Sequence, residues 1–179
     1  MRVVAGRFGG RSLVAPRGQA TRPTSDRVRE ALFSILGAEL VDGARILDLF
    51  AGSGALGIEA LSRGALQATF VDSSSAAVAA VRRNIGALGV EADVRRQDAL
   101  AYLRSASRDV RLYDLVFLDP PYRHARALGP ELSTALGPVL APGARVVAES
   151  DRRTPLELEL PLLDQRRYGD TSIRIHGPR

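Results

Sequence analysis

A short apolar run, Ile46–Phe50, leads directly into Ala51-Gly52-Ser53-Gly54 and then into the helix-prone stretch Ala55–Ser62. A buried strand that turns through glycines into a helix is the opening of a βαβ unit, and it commits the chain to a parallel sheet with crossover helices. The pattern then repeats. Ala68–Val71 reads as a second strand, followed by three serines able to cap a helix over Ala76–Leu88. Ala92–Arg95 is a weaker third strand, Ala99–Arg104 a short helix, and Leu115–Leu118 a fourth strand. Ala125–Leu136 has helical character interrupted by Gly129-Pro130, and Arg145–Glu149 is a fifth strand. The last two β-prone runs, Leu156–Leu160 and Ser172–Ile175, have no helix-sized segment between them and are expected as an antiparallel edge hairpin. The expected fold is therefore α/β: a Rossmann-like, seven-stranded, mostly parallel, doubly wound sheet.

Upstream of that pattern, Arg2–Ala5 and Ser12–Ala15 flank the glycine-rich turn Gly6–Gly10 and predict a β-hairpin. Pro16–Pro23 has linker chemistry. A helix then begins with Thr24 or Ser25 as N-cap, carries Val28, Ala31, Leu32 and Ile35 at helical spacing, and closes at Gly37. The expected organisation is a basic hairpin and linker over residues 1–23, with one α/β domain over residues 24–179.

Charge divides the chain in the same place. All 25 basic residues are arginine, and seven of them (Arg2, Arg7, Arg11, Arg17, Arg22, Arg27, Arg29) fall in the first 30 residues against Asp26 and Glu30. The remaining residues balance at 18 arginines and 18 acids, so the whole excess of +5 sits on the N-terminal segment. Clustered arginine is the electrostatic footprint of a polyanion partner, because its fork matches phosphate. The absence of cysteine excludes disulfide and thiolate chemistry and accords with a cytoplasmic location. No apolar run approaches a membrane span. His124 and His176 stand outside ligand-like spacing, so no metal is expected.

The glycine loop has two possible owners. Taken literally, Gly52-Ser53-Gly54-Ala55-Leu56-Gly57 matches a dinucleotide fingerprint, with Asp72 placed to hold a ribose, so a nicotinamide (NAD) oxidoreductase must be weighed. Asp48 argues against it: a carboxylate inside the strand end repels a pyrophosphate and suits a cationic ammonium or sulfonium. Asp98, after the third strand, is placed to accept a hydrogen bond from an adenine amine. Asp48, Asp72 and Asp98 thus line successive strand ends in the charge layout expected for S-adenosylmethionine.

At the end of the fourth strand stands Asp119-Pro120-Pro121-Tyr122. Two prolines stiffen the loop and remove competing N–H donors. A carboxylate and a carbonyl are then available for an exocyclic amine, and Tyr122 offers a ring on which a base can stack.

With these residues assembled, the chain resembles the RsmD-like methyltransferases over nearly its whole length. The resemblance rests on Arg22-Pro23-Thr24 with Asp26-Arg27-Val28-Arg29-Glu30-Ala31-Leu32-Phe33, on Asp48 through Glu59 with Ala60-Leu61-Ser62-Arg63-Gly64, on Asp119-Pro120-Pro121-Tyr122, and on Tyr168-Gly169-Asp170-Thr171. It implies a class I fold and methyl transfer from S-adenosylmethionine to the N2 amine of a guanine in bacterial 16S rRNA. It puts Asp48, Phe50, Gly52, Gly54, Asp72 and Asp98, with their neighbours Ala51, Ser53, Ser73 and Ala99, at cofactor positions. Asp119, Pro120, Pro121 and Tyr122 fall at the target base. Arg2, Arg7, Arg11, Arg22 and Thr24 are the expected RNA contacts, and the partner is 16S rRNA or an assembling small subunit met by a monomer. An adenine-N6 methyltransferase and a non-catalytic RNA-binding module on the same fold are the remaining alternatives.

Overall fold

The protein is described by a computed structural model covering residues 1–16, 25–120 and 125–178. Its elements are α1 (Asp26–Leu36), β1 (Arg45–Leu49), α2 (Ala55–Ser62), β2 (Gln67–Asp72), α3 (Ser75–Leu88), β3 (Asp93–Arg96), α4 (Ala99–Arg108), β4 (Tyr113–Leu118), α5 (Ala125–Leu136), a single 3-10 turn (Gly137–Val139), β5 (Leu140–Asp151), β6 (Leu162–Tyr168) and β7 (Thr171–His176). The seven strands lie in the order β3-β2-β1-β4-β5-β7-β6. β1 to β5 run parallel, and β7 is antiparallel to both β5 and β6. Strand order reverses between β1 and β4, which opens the ligand crevice of a doubly wound sheet at their C-terminal ends.

Helices cover both faces, so the central strands are apolar on both sides and lack alternation. On one face Ile46, Phe70, Leu115, Phe117 and Val147 pack with Val3, Leu13, Leu32, Phe33, Ile58 and Val81. On the other, Leu47, Leu49, Val116, Leu118 and Val146 pack with Tyr102, Leu103, Leu132, Leu136 and Leu156. Ser25 caps α1 through the Val28 N–H, and Ser74 caps α3 through the Ala77 N–H. Thr24, the other cap candidate, lies outside the described residues, as does most of the Pro16–Pro23 linker.

Three sequence expectations need correction. The N-terminal hairpin contains one isolated bridge, Arg2 to Ser12, and no regular strand. Its ladder breaks because the next two donors, the Val4 and Ala5 N–H groups, bind the Glu59 carboxylate at 2.7 and 3.0 Å. The final hairpin is built from Leu162–Tyr168, and Leu156–Leu160 is no strand. That run lies across α5 and β7, and its backbone is claimed by side chains: Ser133 Oγ accepts the Glu159 N–H, while His176 Nδ1 is 3.0 Å from the Leu160 carbonyl. Thirdly, α5 runs through Gly129-Pro130 without a break. Gly129 is required there, since a Cβ would fall 2.0 Å from the Glu157 carbonyl oxygen. Ser133 and Thr134 hydroxyls return hydrogen bonds to the Gly129 and Pro130 carbonyls.

Candidate active site

The site forms where β1 hands the chain to α2. Phe50 turns out of the strand with φ 63°, a left-handed conformation that is rare for a bulky residue and costs on the order of 1–3 kcal/mol. Gly52 (φ 56°) and Gly54 (φ 77°) continue the turn. A Cβ on Gly52 would meet nothing nearer than the Phe50 carbonyl at 3.9 Å, so its backbone faces open space in which a ligand fits. Gly57 has a different reason to be glycine: a Cβ there would lie 2.4 Å from the Phe70 ring.

Asp48 is 3% exposed, and its Oδ2 accepts the Gly57 N–H from the first turn of α2 at 3.0 Å. Burial pushes its carboxyl up to about 8, with the Asp72 charge adding to the effect and the Gly57 hydrogen bond opposing it. A cation beside such a group would favour its ionised form. Asp72 closes the loop from the other side, accepting the Gly52 N–H at 2.9 Å and the Ser74 N–H at 2.8 Å. Asp98 is exposed and N-caps α4 through the Ala101 N–H at 3.0 Å, while Ala99 is buried behind it. The Ala51 N–H is taken by the Val71 carbonyl, the Ser53 hydroxyl donates to Met1 Sδ, and Ser73 is exposed. Asp48, Asp72 and Asp98 therefore stand at the ends of β1, β2 and β3 in that order.

Strand register brings a further pair together. Leu118 is opposite Ala148 in the parallel β4–β5 ladder, so Asp119 and Glu149, one residue further, are neighbours across it. Side-chain alternation puts both on the sheet face that carries Phe117 and Asp48. Asp119 is half-buried, and its carboxyl is held well above the ordinary range by desolvation first and then by the Glu149 and Asp48 charges. Pro120 is buried. Pro121 and Tyr122 lie outside the described residues. Glu149 was missed in the sequence because an acid at the end of a fifth strand carries no motif; only the ladder makes it a neighbour of Asp119.

The N-terminal arginines divide by role. Arg2 pairs with Asp26 at 3.0 Å and Arg11 Nη2 donates to the Ala87 carbonyl at 3.0 Å. Arg7 stacks on the Phe8 ring, 4.5 Å from its centroid. Arg29 is fully buried, binding Asp26 at 2.8 Å and the Arg2 carbonyl, so it serves the fold. Arg22 and Thr24 lie outside the described residues.

A family model described as "Conserved hypothetical protein 95" matches residues 1–177. The chain belongs to that family. It is the RsmD-like family of the sequence resemblance: the ribosomal RNA small subunit methyltransferase D of Haemophilus influenzae is 33% identical over 181 residues, covering 98% of this chain and 93% of that protein. The Bacillus subtilis rRNA methyltransferase candidate YlbH is 40% identical over 190 residues and is matched along the full length of both chains. Among solved structures, the Escherichia coli methyltransferase candidate yhhF superposes with a TM-score of 0.84 at 34% identity, covering 100% of this chain and 98% of that one. The fold of this RsmD-like chain is thus the Rossmann-like class I methyltransferase fold.

Proposed function

We propose that the protein transfers a methyl group from S-adenosylmethionine to the exocyclic N2 amine of a guanine in small-subunit rRNA. The observation that carries this reading is the Asp119-Pro120 loop end beside the Asp48 site, at the switch point of an RsmD-like fold. S-adenosylmethionine, when bound, supplies an electrophilic methyl on a sulfonium. Asp48 would face its cationic portion, Asp72 and Ser73 its ribose, and Asp98 with Ala99 its adenine, while Phe50, Ala51, Gly52, Ser53 and Gly54 would shape the backbone around it.

The guanine amine is a weak nucleophile because its lone pair is delocalised into the ring. The Asp119 carboxylate and the Pro120 carbonyl accept its two hydrogens and draw the lone pair out of the plane, and Tyr122 stacks on the base. Positioning of this kind supplies much of the rate. As the new N–C bond forms the nitrogen becomes acidic, and Asp119 or a water takes the proton. The base must leave its stack to enter, which favours a loop nucleotide. Residues 1–23, with Arg2, Arg7, Arg11, Arg22 and Thr24, form the RNA-contacting extension of the catalytic domain, and the protein acts as a cytoplasmic monomer.

Mass mapping of small-subunit rRNA from cells with and without the gene tests the reading. One N2-methylguanine should disappear with the gene and return with the wild-type copy, and not with Asp119→Ala. Loss of an N6-methyladenine instead would establish the adenine alternative.

A further inference from the structure

Two segments far apart in sequence meet on the α2–α3 side of the sheet, and neither contains an acid. Residues 1–16 hold Arg2, Arg7 and Arg11, and residues 73–90, which include all of α3, hold Arg82 and Arg83, with no Asp or Glu in either. Asn84 joins them, accepting the Val14 N–H at 2.8 Å and donating to the Val14 carbonyl at 3.0 Å. One turn further along, Arg11 reaches the Ala87 carbonyl. Arg83 and Ala87 are four residues apart and share a helix face, so Arg83 lies on the side of α3 that Arg11 approaches.

The one acid in α2, Glu59, is fully buried and already bound by Val4, Ala5 and Arg63. Asp26 also touches the N-terminal segment, where it pairs with Arg2 and the buried Arg29. Arg7, Arg11, Arg82 and Arg83 are all exposed, and none forms an ion pair among the described residues.

The face meets the glycine loop at one end, where Met1 and Asn84 both bind Ser53, and runs away from it toward Arg7. The Arg7 N–H binds the carbonyl of Ser62, the last residue of α2, whereas the glycine loop enters α2 at its first. Eight residues of helix separate them by about 12 Å. Arg7 thus stands beyond the glycine loop by the length of α2.

We propose that the face formed by the N-terminal segment and α3 is a track for RNA backbone flanking the target nucleotide, with Arg82 and Arg83 joining Arg7 and Arg11 as phosphate contacts. The inference rests on the rRNA-methyltransferase reading and extends it to residues in the middle of the catalytic domain. Four guanidinium groups without an acidic partner among the described residues, on two segments that themselves contain no acid, match a polyanion contacted through its phosphates.

The test uses the full-length protein and a 16S rRNA transcript, with binding measured across a salt series. Arg82→Ala/Arg83→Ala should weaken binding and lower the slope of log affinity against log salt by about 0.7–0.9 for each phosphate no longer neutralised. The control is Arg104→Ala/Arg108→Ala. It removes the same charge from α4, which packs on the opposite face of the sheet, and should leave the slope unchanged. Retained S-adenosylmethionine affinity shows that each variant is folded, and Arg82→Gln/Arg83→Gln repeats the measurement with long side chains kept. An unchanged slope in both α3 variants overturns the track, as does an equal loss in the α4 control. Failure of the wild-type protein to methylate the transcript or the assembled subunit overturns the functional reading itself, a result separate from the slopes.

Discussion

Glu59, inside α2, accepts the backbone N–H of Val4 at 2.7 Å, and the same carboxylate takes the Ala5 N–H and the Arg63 guanidinium. A single buried acid thus ties the N-terminal segment to the helix that follows the glycine loop. The segment is clamped at a second point by Ser62, whose hydroxyl accepts the Phe8 N–H and donates to the Ala5 carbonyl. Gly6 permits the approach, since a Cβ there would fall 1.9 Å from the Ser62 carbonyl oxygen. The described part of the basic segment, residues 1–16, is consequently held against α2.

Replacing Glu59 by Ala leaves two part-buried backbone N–H groups and one guanidinium without their partner. The expected loss is about 3 kcal/mol of stability, measured by urea denaturation, with early proteolytic cleavage within residues 1–16. A variant as stable and as protease-resistant as wild type would show that the clamp is not needed.

The raised carboxyl of Asp48 makes stability depend on pH. Between its unfolded value near 4 and its folded value of about 8, the native state holds a proton that the unfolded chain has lost. This group's contribution therefore falls as pH rises through that window, by up to about 1.4 kcal/mol per unit. The difference in unfolding free energy between Asp48→Asn and wild type, both without cofactor, should shift in the variant's favour from pH 5 to pH 8. A difference that does not change with pH would place the Asp48 titration elsewhere. Because a sulfonium favours the ionised acid, S-adenosylmethionine affinity should rise over the same interval in wild type and stay flat in the variant.

Asp119→Ala should lower methyl transfer by at least about 10²-fold while leaving S-adenosylmethionine affinity within a few-fold of wild type. Lost affinity with normal turnover would move Asp119 out of the target-base site. Tyr122→Phe should be mild and Tyr122→Ala severe, since stacking uses the ring.

Glu149→Gln removes one of the two neighbouring charges that hold the Asp119 carboxyl high. The acid limb of the kcat/KM profile should move to lower pH, read from assays between pH 5 and 9. A limb that stays in place means that the Asp119 ionisation does not govern it.

Gly57→Ala drives a methyl group into the Phe70 ring at 2.4 Å and toward Asp48 Oδ2 at 3.1 Å. It should cost about 1–3 kcal/mol, and Phe70→Leu should recover part of that loss in a double-mutant cycle. Strictly additive losses would mean that the two residues do not meet.

Much of the catalytic fold was legible because its signals are local. The glycines after Ile46–Phe50, the serines before α3 and the apolar runs of β1, β2 and β4 each act within a few residues, and those elements lie within a residue or two of their expected bounds. The Leu156–Leu160 run failed because apolar residues that cover a core look the same as apolar residues in a strand. What decides between them is the Ser133 hydroxyl at Glu159 and the His176 ring at Leu160, both supplied from other elements.

By itself, then, the sequence determined the alternation of strand and helix, the glycine turn, and the order in which Asp48, Asp72, Asp98 and Asp119 arrive at strand ends. These depend on backbone conformation and on a period that short stretches of chain encode. The tertiary structure alone decided that Glu149 neighbours Asp119, that Glu59 holds the N-terminal segment, and that Arg11 meets the helix carrying Arg82 and Arg83. Parallel register and helix docking bring together residues tens of positions apart, and no local pattern records which charge will stand beside which.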